Sequence, residues 1–184
     1  MSRINFQPTI QGMFDLYSDQ YFIPGYSGGI VFLYFSEPNK GLQMEINYSQ
    51  KGWTEYLDSA NSYNRKLDYI EFPFLSHFDI GLRKLKLSVT IGPTISYQIL
   101  SREEINITDE NLFKQYYTTA ADNKLEVGLS IGLGVNRMTK LGIIQLECRL
   151  NQGLNNIFSR EVNKDISTSQ NQVIGVNASY LFGW

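Results

Sequence analysis

The sequence has few of the features that define several common kinds of protein. Its single cysteine excludes an internal disulfide framework and a metal site built from several thiolates. It has 16 basic and 18 acidic residues, so it lacks the basic excess that binds a nucleic-acid backbone, and we expect no nucleic-acid partner. No apolar run approaches the ~20 residues that a membrane-spanning helix requires. Aromatic residues, in contrast, make up 14% of the chain.

The amino terminus also lacks an export signal. Such a signal contains basic residues, an apolar stretch and a small-residue cleavage site, and the residues from Met1 to Gln7 show none of these. Taken literally, this indicates a cytoplasmic protein. The alternative is a mature chain from which the signal has been removed, and the rest of the sequence favours that alternative.

Alternation of apolar and polar residues recurs along the chain and predicts β-strands with two different faces. Helical spacing is almost absent, so we predict an all-β fold in a single domain from residue 1 to residue 184. In the second segment both faces are apolar, so its phase is not readable. The eight segments are 4–14, 26–35, 42–49, 69–80, 85–99, 125–136, 144–151 and 174–184.

The placement of charge within these segments is one-sided, because every charged residue lies on the polar face. A soluble sandwich with its polar face in water would show the same alternation, so this pattern alone does not decide the class of protein. The residues are Glu45, Glu71, Asp79, Lys86, Glu126, Glu147 and Arg149.

The connections between segments alternate strictly between short and long. The short ones are 37–41, 81–84 and 137–142, and the long ones are 15–25, 52–66, 101–124 and 154–172. Outer-membrane barrels have short periplasmic turns and long extracellular loops, whereas soluble barrels have no such requirement. The last strand carries Tyr180, Phe182 and Trp184, which we interpret as the signal for the outer-membrane assembly machinery.

These features together predict an eight-stranded antiparallel up-and-down transmembrane β-barrel. Strands of ~9–11 tilted residues span a bilayer, and closure removes the sheet edges that lipid does not tolerate. The apolar faces would point to lipid and the polar faces to the interior. Aromatic residues would form belts at both membrane interfaces, with Trp53 in the outer belt.

Five stretches carry a family resemblance: Gly41–Trp53, Leu67–Leu75, Gly92–Pro93, Gly153–Ile157 and Ala178–Gly183. They resemble the PorT-like family of outer-membrane β-barrels of Gram-negative bacteria, and the resemblance covers nearly the whole chain. It implies an eight-stranded barrel in the bacterial outer membrane, exported with a cleaved signal. The family takes its name from a component linked to protein secretion, but no motif in this chain singles out that role.

We interpret the predicted interior residues as a structural polar network: Glu45, Glu71, His77, Asp79, Lys86, Glu126, Glu147 and Arg149. An eight-stranded barrel is only wide enough inside for side chains, which favours a salt-bridged plug over a conducting lumen. Acids outnumber bases, so we expect further partners from Lys51, Lys66 or loop residues. A hydrogen-bonded interior role for His77 is favoured over catalysis or metal binding beside Asp79. We therefore expect no catalytic, cofactor or metal site.

These predictions lead to a non-enzymatic integral outer-membrane protein that binds or scaffolds through its extracellular loops. One form of this role is an accessory subunit of an envelope or protein-secretion complex. The expected partners are membrane lipid or lipopolysaccharide, the assembly machinery and an envelope protein complex. The alternatives are a small-solute channel or ligand carrier, a lipid-modifying enzyme of the outer membrane, and a soluble lipocalin-like binder with an apolar interior.

Overall fold

The secondary structure is β throughout the part of the chain that the structure describes. A computed structural model describes residues 1–8, 19–56, 61–81, 84–107, 123–157 and 166–182. Within these ranges no helix has the length and apolar character needed to cross a membrane. The strands are β1 Ser2–Pro8, β2 Asp19–Phe22, β3 Ser27–Glu37, β4 Lys40–Tyr56, β5 Ser62–Ile80, β6 Leu85–Asn106, β7 Leu125–Met138, β8 Gly142–Gly153 and β9 Ile166–Phe182.

All nine strands belong to one antiparallel sheet in the order β1-β9-β8-β7-β6-β5-β4-β2, and β3 also pairs with β4. β2 and β3 share the same edge of β4, since Phe22 lies opposite Trp53 and Ser27 lies opposite Ser49. They are therefore two pieces along one line, separated by residues 23–26. The sequence predicted only the second piece and assigned β2 to a connecting loop.

The sheet is not closed within the described strands. No ladder joins β1 to β2 or β3, and residues Gly175–Phe182 of β9 pair with β8 alone. The structure thus shows an all-β antiparallel sheet, but neither closure nor a strand number of eight. Of the predicted first strand, residues 9–14 lie outside the described residues.

The two faces of the sheet have opposite chemistry, as strand β7 illustrates. Leu129, Ile131 and Leu133 are exposed, whereas Glu126 and Ser130 are buried. Side chains alternate between the faces of a strand, so the sequence alternation places these apolar residues of β7 on one side. The sheet therefore has an apolar exposed surface and a polar buried interior, the reverse of a soluble protein.

The connections differ in length at the two ends of the sheet. Short connections lie at 38–39, at 139–141 and between the end of β5 at Ile80 and the start of β6 at Leu85, as the sequence predicted. At the other end the strands are longer than expected, since the β4–β5 ladder continues to the pair Tyr56 and Ser62, and β6 runs to Asn106. The prediction of long loops at this end was therefore wrong for residues 52–56, 62–66 and 101–106, which belong to strands. Beyond the apolar band the outward face of these strands is also polar, as at Thr54, Asn64 and Lys66, so the strands continue without the apolar–polar contrast that reveals strands in a sequence.

Candidate functional site

The buried face of the sheet carries four groups of polar side chains, arranged from the short turns to the opposite end. The turn cluster contains Gln43, His77, Asp79, Lys86 and Asn136, and the central cluster contains Glu45, Thr90, Glu147 and Arg149. The lysine cluster contains Lys51, Tyr69, Glu71, Glu126 and Asn171. The rim cluster contains Trp53, Glu55, Tyr63, Arg65 and Glu103.

The turn cluster surrounds His77, which is fully buried on β5. Its Nδ1 lies 2.9 Å from Gln43 Oε1, and its Nε2 lies 3.0 Å from Asp79 Oδ1. Asn136 Nδ2 donates to the same Asp79 oxygen at 2.8 Å, and Lys86 Nζ lies 3.5 Å from Asp79 Oδ2. Both ring nitrogens of His77 are therefore engaged with neighbouring side chains, an arrangement that holds the ring in place.

The central cluster is built on the guanidinium of Arg149. It binds Glu45 of β4 through two parallel contacts, Nη1 to Oε2 at 2.8 Å and Nη2 to Oε1 at 2.6 Å. Its Nε donates to Glu147 Oε1 at 2.6 Å, and the other oxygen of Glu147 accepts from Thr90 Oγ1 at 2.9 Å. Paired contacts between guanidinium and carboxylate are strong and directional. This cluster therefore ties β4, β6 and β8 together across the interior.

The lysine cluster places one buried cation between two acids. Lys51 Nζ lies 2.7 Å from Glu71 Oε1 and 2.8 Å from Glu126 Oε1. The same nitrogen lies 4.5 Å from the ring centroid of Tyr69, within the range of a cation–π contact. Asn171 donates to Glu126, which brings β9 into the cluster. Lys51 is thus one of the additional bases that the excess of acids predicted.

The rim cluster contains residues that the sequence analysis placed elsewhere. Trp53 is fully buried, so its assignment to the outer aromatic belt was wrong. Its indole Nε1 donates to Glu55 Oε1 at 3.1 Å, and the guanidinium of Arg65 lies 5.9 Å from its ring centroid. Arg65 Nη2 also pairs with Glu103 Oε1 at 2.9 Å. Trp53 shares its face with Lys51, and that two-residue spacing was the signal that could have identified it.

The eight predicted interior residues fall into three of these clusters. His77, Asp79 and Lys86 meet in the turn cluster, Glu45, Glu147 and Arg149 in the central cluster, and Glu71 and Glu126 in the lysine cluster. Gln43, which the sequence analysis did not single out, connects the first two because it also donates to Glu45 Oε1 at 2.5 Å.

The predicted assembly signal is described only in part. Tyr180 and Phe182 are exposed on the apolar face, with their rings edge to face at 4.9 Å between centroids. Trp184 lies outside the described residues.

A cavity of about 430 Å³ lies beside the central cluster, between β3 and β9. Its lining includes Gly29, Asn47, Arg149, Gly175 and Ser179. Gln145 also lines it, and neither amide atom of this buried side chain has a hydrogen-bond partner among the described residues. Among all the residues that the structure describes, no group of three His, Cys, Asp or Glu side chains is placed to hold a metal ion.

An exposed apolar face, a buried polar face and short turns at one end define the outer-membrane β-barrel class of protein. The chain belongs to the family described as outer membrane protein beta-barrel domain, whose family model matches residues 3–159. It is an integral protein of the bacterial outer membrane. No curated protein matches the chain.

Proposed function

We propose that the protein is a closed, eight-stranded barrel of the PorT-like kind whose role is non-enzymatic binding or scaffolding at its outer end. β2 and β3 pair with consecutive parts of β4, so counting them as one strand gives eight. The observation that carries the role is the ion-paired interior, whose salt bridges engage the charged side chains that a conducting lumen or an active site would leave free. The function is then left to the surface beyond the membrane.

The outer ends of β5 and β6 support this role. β6 extends to Asn106, and its residues 101–106 are exposed on both faces. Arg102 and Glu104 lie on this segment and present opposite charges. A rigid strand pair that projects from the membrane presents a more defined surface than a loop does. We propose an envelope protein complex as its partner, with a secretion complex as one form.

The absence of catalysis is part of the proposal and is supported by the state of the only histidine. His77 is fully buried next to the short turns, with both ring nitrogens engaged. A general base needs a ring nitrogen within reach of a substrate proton. The interior acids Glu45, Glu71, Glu126 and Glu147 are likewise held by buried cations.

The experiment that tests the proposal compares two charge reversals in the native outer membrane. Arg102→Glu changes the exposed outer end of β6, and Lys140→Glu changes an exposed residue of the short turn 139–141. Each tagged variant is extracted in mild detergent and its co-purifying proteins are quantified by mass spectrometry. We expect a stoichiometric partner that is reduced several-fold by Arg102→Glu and unchanged by Lys140→Glu.

Two outcomes contradict the proposal. If the wild-type protein is recovered without any co-purifying protein, the proposed partner does not exist. If a partner is recovered equally with both variants, the outer end of β6 is not its binding surface. A small-solute channel or carrier is the second candidate, favoured by the cavity of about 430 Å³ between β3 and β9. Steady unitary conductance of the purified protein in planar bilayers would support that candidate instead.

A further inference from the structure

At the opening between β3 and β9, two strand edges have no pairing partner among the described residues. Gly175–Phe182 of β9 pairs with β8 alone, and β3 pairs with β4 alone. The cavity of about 430 Å³ lies between these edges and is lined by Gly28 of β3 and Gly175 of β9. Unpaired backbone groups on facing edges form a site for one further strand.

This opening lies at the depth of the apolar band. Ile174, Val176, Tyr180 and Phe182 are exposed on this half of β9, as expected for a surface that faces lipid. Lipid offers no hydrogen bonds to the backbone, so unpaired edges at this depth are strongly unfavourable. The other half of β9, residues 166–172, is mostly polar in sequence, and water can pair with its backbone.

β1 covers the half of β9 that needs a partner least. In the structure Ser2 lies opposite Val173, and the ladder runs away from the opening to Pro8 opposite Ile166. In this register the apolar residue Ile4 lies opposite Asn171, which is buried.

We propose that in the membrane β1 pairs with the inner half of β9, Gly175–Phe182, which lies next to the short turns. In this register each β1 residue lies opposite a β9 residue nine positions further along the chain, and β1 fills the opening between β9 and β3. This inference rests on the proposed closed barrel, because closure is what requires a strand there. The shift moves Ile4 from Asn171 to Tyr180 and Asn5 from Gln170 to Ser179. Residues of similar polarity then lie opposite each other along the ladder.

The unpartnered amide of Gln145 supports this register independently. Gln145 lies opposite Ser179 in the β8–β9 ladder, and its amide is buried without a partner among the described residues. Such a group is costly unless a neighbour supplies hydrogen bonds. The shifted register brings the amide residue Asn5 to the level of Ser179, where a partner is missing.

Cysteine cross-linking separates the two registers. In a Cys148→Ser background, which removes the exposed native thiol, Asn5→Cys is combined with Ser179→Cys or with Gln170→Cys. Directly opposite Cβ atoms lie ~5 Å apart, whereas nine residues along a strand span about 30 Å. Each register therefore allows only one of the two disulfides.

The variants are oxidised in isolated outer membranes, and the disulfides are identified by mass spectrometry of peptides. We expect the pair 5–179 to form at least five-fold more disulfide than the pair 5–170. Preferential formation of the pair 5–170 overturns the inference. So does a disulfide between Val31→Cys and Asn177→Cys without the 5–179 product, because β3 would then close on β9 directly.

A second measurement on the same samples distinguishes failure of the register from failure of the barrel. A closed barrel in detergent migrates differently in an electrophoresis gel before and after boiling. A mobility change without the 5–179 disulfide overturns only the position of β1. No mobility change in the wild-type protein overturns the proposed closed barrel together with the inference.

Discussion

Arg149 contributes to the interior both a charge and a specific shape. Its guanidinium contacts Glu45 through two nitrogens and Glu147 through the third, and all three side chains are buried. A buried carboxylate that loses its cation is much less stable than an exposed one, and removing one partner of a buried pair costs about 3–5 kcal/mol. Lysine cannot reproduce the planar fork of donors, so charge alone does not replace this residue.

At the residue scale we predict that Arg149→Met lowers the free energy of unfolding by about 3–5 kcal/mol. Arg149→Lys keeps the charge and should lose less. The double variant Arg149→Met with Glu45→Gln should recover part of the loss, since one uncompensated charge is removed. Urea unfolding in lipid vesicles, followed by tryptophan fluorescence, measures each value. Equal stability of Arg149→Met and the wild type would show that this ion pair does not hold the interior together.

The hairpin of β4 and β5 shows how backbone geometry limits an element. Gly52 has a φ of 159°, and a Cβ atom at this position would lie 2.1 Å from the carbonyl oxygen of Arg65 on the neighbouring strand. The two strands therefore approach each other more closely here than a side chain allows. Gly52 lies between Lys51 of the lysine cluster and Trp53 of the rim cluster, so the close contact of the two strands at Gly52 positions residues of both clusters.

At the element scale we predict that Gly52→Ala destabilises the outer part of this hairpin by about 1–3 kcal/mol. Hydrogen exchange of residues 51–56 and 62–67 should accelerate, while exchange in β7 and β8 stays unchanged. Gly28→Ala is the matched control, because a Cβ atom there would meet nothing within 4 Å. If both alanine variants exchanged alike, close approach of the strands at Gly52 would not be what fixes the hairpin.

The molecule as a whole is defined by the environment of its apolar face. Ile131 lies in the middle of β7, and Leu100 lies toward the outer end of β6; both are exposed to a similar extent, 42% and 43%. In water, lysine at either position would be tolerated. In a bilayer the cost of a lysine depends on depth, about 2–4 kcal/mol at the midplane and about 0–1 kcal/mol near the interface.

At the scale of the whole molecule we therefore predict unequal effects from two similar substitutions. Ile131→Lys should destabilise the protein in lipid vesicles by about 2–4 kcal/mol, and Leu100→Lys by no more than about 1 kcal/mol. Denaturant titration of both variants in the same lipid gives the comparison. Equal effects would contradict the position of Ile131 at the centre of the membrane.

The sequence by itself determined the strands within the apolar band and the chemistry of their faces. The alternation of Leu85, Leu87 and Val89 with Lys86 and Ser88 depends only on neighbouring residues, because a strand turns successive side chains to opposite faces. The short turns are also a local property, and together with the alternation they indicated the outer-membrane class. The contrast faded beyond the apolar band, so the outer parts of β4, β5 and β6 were not recognised as strands.

Only the tertiary structure decided which charged residues meet. Glu45 and Arg149 are 104 residues apart in sequence, and Lys51 and Glu126 are 75 apart. Such pairs depend on the register of every intervening ladder, and a local pattern contains no information about accumulated register. The same reason explains why the partner of the inner half of β9 is a question about register. The face of Trp53, in contrast, is a local property that its two-residue spacing from Lys51 indicates. The sequence predicts which side chains face inward, and the sheet determines which of them bind each other.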